Sequence, residues 1–107
     1  MASIDTLDII KSKIYRYLAV LKENGIYPVK AYLFGSYLKG TAHRDSDIDI
    51  AIVSPDLGEF RFENQMILMR LTWDIDTRIE PHPFLPEEFT PENPDAAEIL
   101  KTGISLI

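Results

Sequence analysis

Cysteine is absent from the chain. That excludes disulfides, thiolate nucleophiles and cysteine-based zinc sites. Long apolar runs are absent too, and nothing approaches the ~20 residues of a membrane span. The opening Met1-Ala2-Ser3-Ile4-Asp5 has no basic lead, and Asp5 and Asp8 interrupt its apolar residues. A secretory signal is therefore not expected, no membrane partner is expected, and a cytoplasmic location is. Basic residues are in deficit: 11 against 17 acidic ones, a net charge of −6. The balance argues against a broad nucleic-acid footprint but leaves room for a local phosphate site. Histidine occurs only as His43 and His82, far apart and without metal-ligand spacing, so neither is assigned a catalytic role. Repeats, low-complexity tracts and long linkers are missing as well.

The 107 residues are 46% apolar and 26% charged. These are ordinary globular proportions, neither those of a disordered tail nor of a supercharged binder. The length suits one domain, residues 1–107, burying roughly two-thirds of its unfolded surface. Leu7, Ile10, Ile14, Tyr17, Leu18 and Leu21 recur at three and four, predicting a helix over about Ile4 to Asn24. Ser3 is a candidate cap, and Asn24-Gly25 a stop. Val29 to Phe34 reads as a strand, broken by Gly35 and Ser36. Asp47 to Val53 alternates: Ile48, Ile50 and Ile52 share one face, Asp47, Asp49, Ala51 and Val53 the other.

Phe62, Met66, Met69 and Trp73 mark a second long helix, and the stripe is read as core. Ile75, Thr77 and Ile79 alternate with Asp76, Arg78 and Glu80, predicting a third strand that Pro81, Pro83 and Pro86 bring to an end. Asp95 to Thr102 reads as a short helix, and Ile104 to Ile107 as a closing strand or a docked tail. The fold class is α/β (α+β), a small mixed sheet with helices packed on it.

The chemistry lies between Gly35 and Asp49. Two aspartates at i and i+2 on a strand face the same way, ~6.5 Å apart at Cα. Carboxylates so close repel, and a hard divalent cation removes the conflict. Gly35 lets the backbone approach a ligand, and free N–H groups with the Ser36 hydroxyl suit a phosphate. An anion cradle beside an acid pair is what a nucleoside triphosphate with Mg²⁺ requires. Lys39 and Arg44 are candidate phosphate contacts or plain loop charges. Tyr37 is a candidate for stacking on a base or for packing over the sheet edge. Arg78 is read as pairing with a neighbouring carboxylate.

Gly35-Ser36, ten intervening residues, then Asp47-Ile48-Asp49 form a pattern that resembles the minimal nucleotidyltransferase family of the DNA polymerase β superfamily. The likeness in layout runs from Val29 to about Glu80. It implies a nucleotidyltransferase fold with Gly35 and Ser36 on the triphosphate. It also implies Asp47 and Asp49 on two Mg²⁺ ions and a third carboxylate on a later strand. Asp76 and Glu80 are both candidates. A crossover through a helix makes the second and third strands parallel. Asp76 would then stand level with Asp47 and Asp49, so it is the expected third acid, catalytic and metal-binding. With the opposite strand direction Glu80 takes its place.

The resemblance further implies transfer of a nucleoside monophosphate, AMP from ATP, to a hydroxyl, releasing pyrophosphate. Because little chain is left for an acceptor domain, the acceptor is expected to be another protein or to be recognised with a partner's help. Similar stand-alone members pair with a small HEPN-domain protein as antitoxin to toxin. The alternatives are a nucleotide-binding module without turnover and an enzyme modifying a small, aminoglycoside-like hydroxyl compound. A homo-oligomer is left open.

Overall fold

Apolar side chains at helical spacing produce α1, Leu7–Glu23, in the computed structural model, which describes residues 5–43 and 46–107. Its cap is Thr6, whose Oγ1 accepts a hydrogen bond from the Ile9 N–H at 3.3 Å. The expected cap Ser3 lies outside the described residues. Ile10, Ile14, Tyr17, Leu18 and Leu21 are buried as the spacing requires, while Leu7 stays exposed. The strand β1, Lys30–Phe34, leads through Gly35 into a single helical turn, α2, Ser36–Lys39. The strand β2, Ile48–Val53, returns antiparallel to β1, with Phe34 opposite Asp49.

The helix α3, Arg61–Arg70, crosses to the strand β3, Ile79–Phe84, which runs parallel to β2. A 3₁₀ turn, Pro86–Glu88, precedes the helix α4, Pro94–Thr102, which Asn93 caps. The short strand β4, Ile104–Ser105, pairs antiparallel with β1, so this segment joins the sheet rather than docking as a tail. The sheet order is β3-β2-β1-β4, and the α/β fold class stands.

Strand alternation divides the core. Ile48, Ile50 and Ile52 pack with the buried face of α1 and with Leu68 of α3. Ala51 and Val53 point the other way, to Phe84, Phe89 and the Ala96 and Ile99 of α4. Tyr17, fully buried, donates to the Leu68 carbonyl at 2.8 Å and ties α1 to α3. No helix among the described residues is long and apolar enough to cross a membrane.

Two expectations are corrected. The third strand starts at Ile79 and runs through Pro81 and Pro83, whereas Ile75 and Asp76 form a turn on the Thr72 carbonyl. The prolines fit because β3 is an edge strand. Ile48 and Ser54 N–H groups bond the carbonyls of Arg78 and Phe84, so the even-numbered residues aim their backbone at β2. Pro81 and Pro83 turn outward, where a missing N–H breaks no ladder bond. The outward Pro81 carbonyl accepts from the Gln65 amide at 3.3 Å.

The second correction concerns the stripe read as core. Phe62, Met66, Met69 and Trp73 face solvent, at 76%, 49%, 42% and 72% exposure. The face that α3 buries carries Asn64 and Leu68 instead. The Asn64 amide bonds both the N–H and the carbonyl of Gly58, at 2.9 and 2.8 Å, and sets the rotation of the helix.

Candidate functional site

Gly35 ends β1 at φ 89° and ψ −150°, a conformation essentially open only to glycine. The backbone turn there brings the start of α2 against β2. A Cβ built on Gly35 would collide with the Asp49 carboxylate, lying 3.2 Å from its Cγ. The phosphate-cradle candidates and one acid of the pair are thus packed against each other. Gly40, at φ 72°, closes α2 in the left-handed region.

Asp49 sits in β2 beside Glu80 of β3, its register partner across the parallel ladder. His82 comes two residues after Glu80 and shares its face. Its Nε2 lies 3.1 Å from the Asp49 Oδ1, and its ring stands 5.0 Å from that of Phe34. One ligand atom each from Asp49, Glu80 and His82 falls within 4.8 Å of the others. Burial raises the Glu80 carboxyl above the usual range; a hydrogen bond with Asp47 and the charges of Asp49 and Asp47 add to it, against an opposing pull from His82. Asp47, just ahead of β2, is exposed.

Carboxylates held this close destabilise one another until a proton or a cation intervenes. The hard oxygen donors of Asp47, Asp49 and Glu80 fit a divalent metal such as Mg²⁺. His82 fits as the group that orients Asp49, an outer partner of the kind that fixes ligand carboxylates.

Asp76 has other partners. It accepts from the Lys13 Nζ at 2.9 Å and from the Arg78 guanidinium at 2.6 Å (Nη2) and 3.0 Å (Nε). Asp5 completes the cluster, 2.8 Å from Lys13 and 2.7 Å from Arg78. The Arg78 hydrogen bond, with help from Lys13, holds the Asp76 carboxyl far below the usual carboxylate range despite its burial. Its bond to Lys13 places it on the α1 side of the sheet. Arg78 also donates to the Tyr37 hydroxyl at 3.2 Å, which anchors α2 from below. Arg78 therefore pairs as expected, and Tyr37 packs on the core rather than standing free.

The structure brings Gly35, Asp49 and Glu80 together, with Ser36 and Asp47 next to them in the chain, and leaves Asp76 in its own ion cluster. Arg44 lies outside the described residues. His82, set aside in the sequence for want of metal-ligand spacing, is brought beside Asp49 by the fold. Its signal was the alternation Glu80, His82, Phe84, masked by the prolines between them. Beside the acids a cleft of about 500 Å³ opens between sheet and α4, lined by Phe34, Lys39, Arg61, His82, Phe84 and Ile99 among others. The Arg61 guanidinium lies 5.5 Å over the Phe84 ring.

Residues 14–102 match the nucleotidyltransferase domain. The chain belongs to that family. Among relatives of this nucleotidyltransferase, the protein adenylyltransferase MntA of Shewanella oneidensis is 68% identical over 25 residues, 23% of this chain and 18% of that protein's length. A toxin–antitoxin crystal structure with AMP-PNP matches at TM-score 0.60 and 28% identity, over 91% of this chain and 72% of that one. A mutant of the MntA–HpeT toxin–antitoxin matches at TM-score 0.62 and 25% identity, over the same shares. A Sulfolobus solfataricus structure assigned as a nucleotidyltransferase shares the fold, with TM-score 0.57 and 19% identity over 94% of this chain and 78% of that one.

Proposed function

We propose that this nucleotidyltransferase moves the adenylyl group of ATP to a hydroxyl on a partner protein, as the antitoxin of a toxin–antitoxin pair. The observation that carries the reading is the meeting of Asp49 and Glu80 across the β2–β3 ladder, packed against the Gly35 turn. The adenylyltransferase and the toxin–antitoxin structures among its relatives support it. The partner proposed is a HEPN-domain protein, as the family resemblance implies.

In this reading the α2 N–H groups and the Ser36 hydroxyl hold the triphosphate. The aromatic wall of Phe34 and Phe84 suits a purine. Asp47, Asp49 and Glu80 would hold Mg²⁺, two ions by the family resemblance. When bound, Mg²⁺ supplies charge neutralisation for the triphosphate and the departing pyrophosphate. The acceptor oxygen forms a bond to the α-phosphorus as the bond to the pyrophosphate oxygen breaks. Glu80, the carboxylate beside Asp49, takes the hydroxyl proton. His82 keeps Asp49 oriented, and the Arg78–Tyr37 bond keeps α2 in place.

The test uses α-labelled ATP, Mg²⁺ and the partner recovered with the chain from native cells. The parent labels the partner and releases pyrophosphate. Asp47→Asn with Asp49→Asn abolishes labelling, and Glu80→Gln lowers it by about 10²-fold or more. Asp76→Asn keeps it within about threefold of the parent. Full labelling by Glu80→Gln, with loss in Asp76→Asn, would return the third-acid role to Asp76. Tight ATP binding without pyrophosphate release would make the chain a binding module instead.

A further inference from the structure

The outward stripe on α3 has no role in the core or in the nucleotide site. Phe62, Met66, Met69 and Trp73 together present roughly 500 Å² of apolar surface, taking 150–250 Å² for a whole aromatic side chain. That lies in the upper part of the range for the largest apolar patch on a monomer, and such patches are often functional. It approaches the ~800 Å² that each partner contributes to a standard interface. Met66, Met69, Arg70 and Trp73 also line a groove of about 340 Å³ that can receive a side chain.

Charge placement identifies what fits there. Glu63 and Arg70 stand two turns apart on one rim of the stripe, and neither makes an ion pair within the described residues. Phe62 and Met69, also seven apart, form the other rim with Trp73, and Met66 lies between the two. Consider a two-fold axis in the contact plane, perpendicular to the helix. It reverses the helix direction yet sets each rim against its own counterpart. Glu63 then meets the partner's Arg70, and Arg70 meets the partner's Glu63. The pattern is complementary to itself, which is what an isologous interface requires.

We propose that α3 is a homodimer interface and that its occupant is the antiparallel α3 of a second copy of this chain. The proposal does not depend on the catalytic reading, because no residue of the stripe belongs to the acid cluster or the Gly35 turn.

Analytical ultracentrifugation of the whole chain tests it, with circular dichroism to check that each variant is folded. The parent sediments as a dimer at about 50 μM. Glu63→Arg sets like charges against each other at the rim and weakens dimerisation by about tenfold or more, and Arg70→Glu does the same. The double variant, E63R with R70E, restores the parent's dimer, and an equimolar mixture of the two single variants gives a heterodimer. Met66→Cys supplies the chain's only thiol and crosslinks to a dimer under mild oxidation. A parent that stays monomeric at that concentration overturns the proposal, even if another protein is found on the stripe. A dimer indifferent to both single charge reversals, or a double variant no better than the singles, overturns it equally.

Discussion

Gly35 answers two demands at once. Its backbone angles exclude a side chain, and the Asp49 carboxylate fills the place a Cβ would take. Gly35→Ala must therefore either straighten the turn, moving α2 off the sheet, or push Asp49 away from Glu80 and His82. The expected cost is about 1–3 kcal/mol in a urea melt. A loss of transfer well beyond what that destabilisation explains is expected in the labelling assay, since small displacements at a reacting site cost rate steeply. Asp76 is the counter-example at the same scale. It too is a carboxylate close to the site in sequence, yet two cations have claimed it. Its pKa is depressed, so its stabilising contribution is complete above the ordinary aspartate value and is lost as pH falls below it. Chemical denaturation of the parent and Asp76→Asn should show a constant difference in stability above about pH 5 that shrinks below about pH 4. A difference that widens towards low pH would contradict the assignment.

Among the elements, those whose burial follows from periodicity were legible in the sequence. The helix α1 shows its buried face at three-and-four spacing, and β2 displays its two faces in strict alternation. The crossover rule correctly made β2 and β3 parallel. It set Asp76 rather than Glu80 level with Asp49 only because the start of β3 was misplaced. Prolines ordinarily end a strand, and nothing in Glu80-Pro81-His82-Pro83-Phe84 announces that this strand lies at an edge with its even positions facing β2. That is tertiary information, and the pairing of Glu80 with Asp49 and the approach of His82 to it were hidden behind it. The α3 stripe failed for a related reason. A run at helical spacing identifies a face but not which side of the molecule that face meets. The side was decided by the Asn64–Gly58 bonds, and a polar residue is a poor sequence marker for the buried side of a helix. For the candidate site, the packing of the Gly35 turn against Asp49 follows from a motif and a turn that are local in the sequence. Setting Glu80 rather than Asp76 beside Asp49, and bringing His82 to it, required the sheet register.

At the scale of the whole molecule, the sheet has two margins. One is β4, only two residues long. The other is β3, where the buried Pro81 and Pro83 hold the outward positions and Gln65 of α3 caps the Pro81 carbonyl. A second chain approaching that margin finds no continuous row of donors, and therefore cannot lengthen the sheet by adding its own strand. Replacing both prolines by threonine supplies the missing N–H groups and favours strand geometry. The double variant should form thioflavin-positive aggregates at concentrations where the parent stays clear; equal behaviour would show that the prolines are not the barrier. The same pair of imino acids thus separates two kinds of association. Open-ended growth into fibrils is discouraged at the sheet, and self-recognition is left to a helix surface where contacts close after two copies.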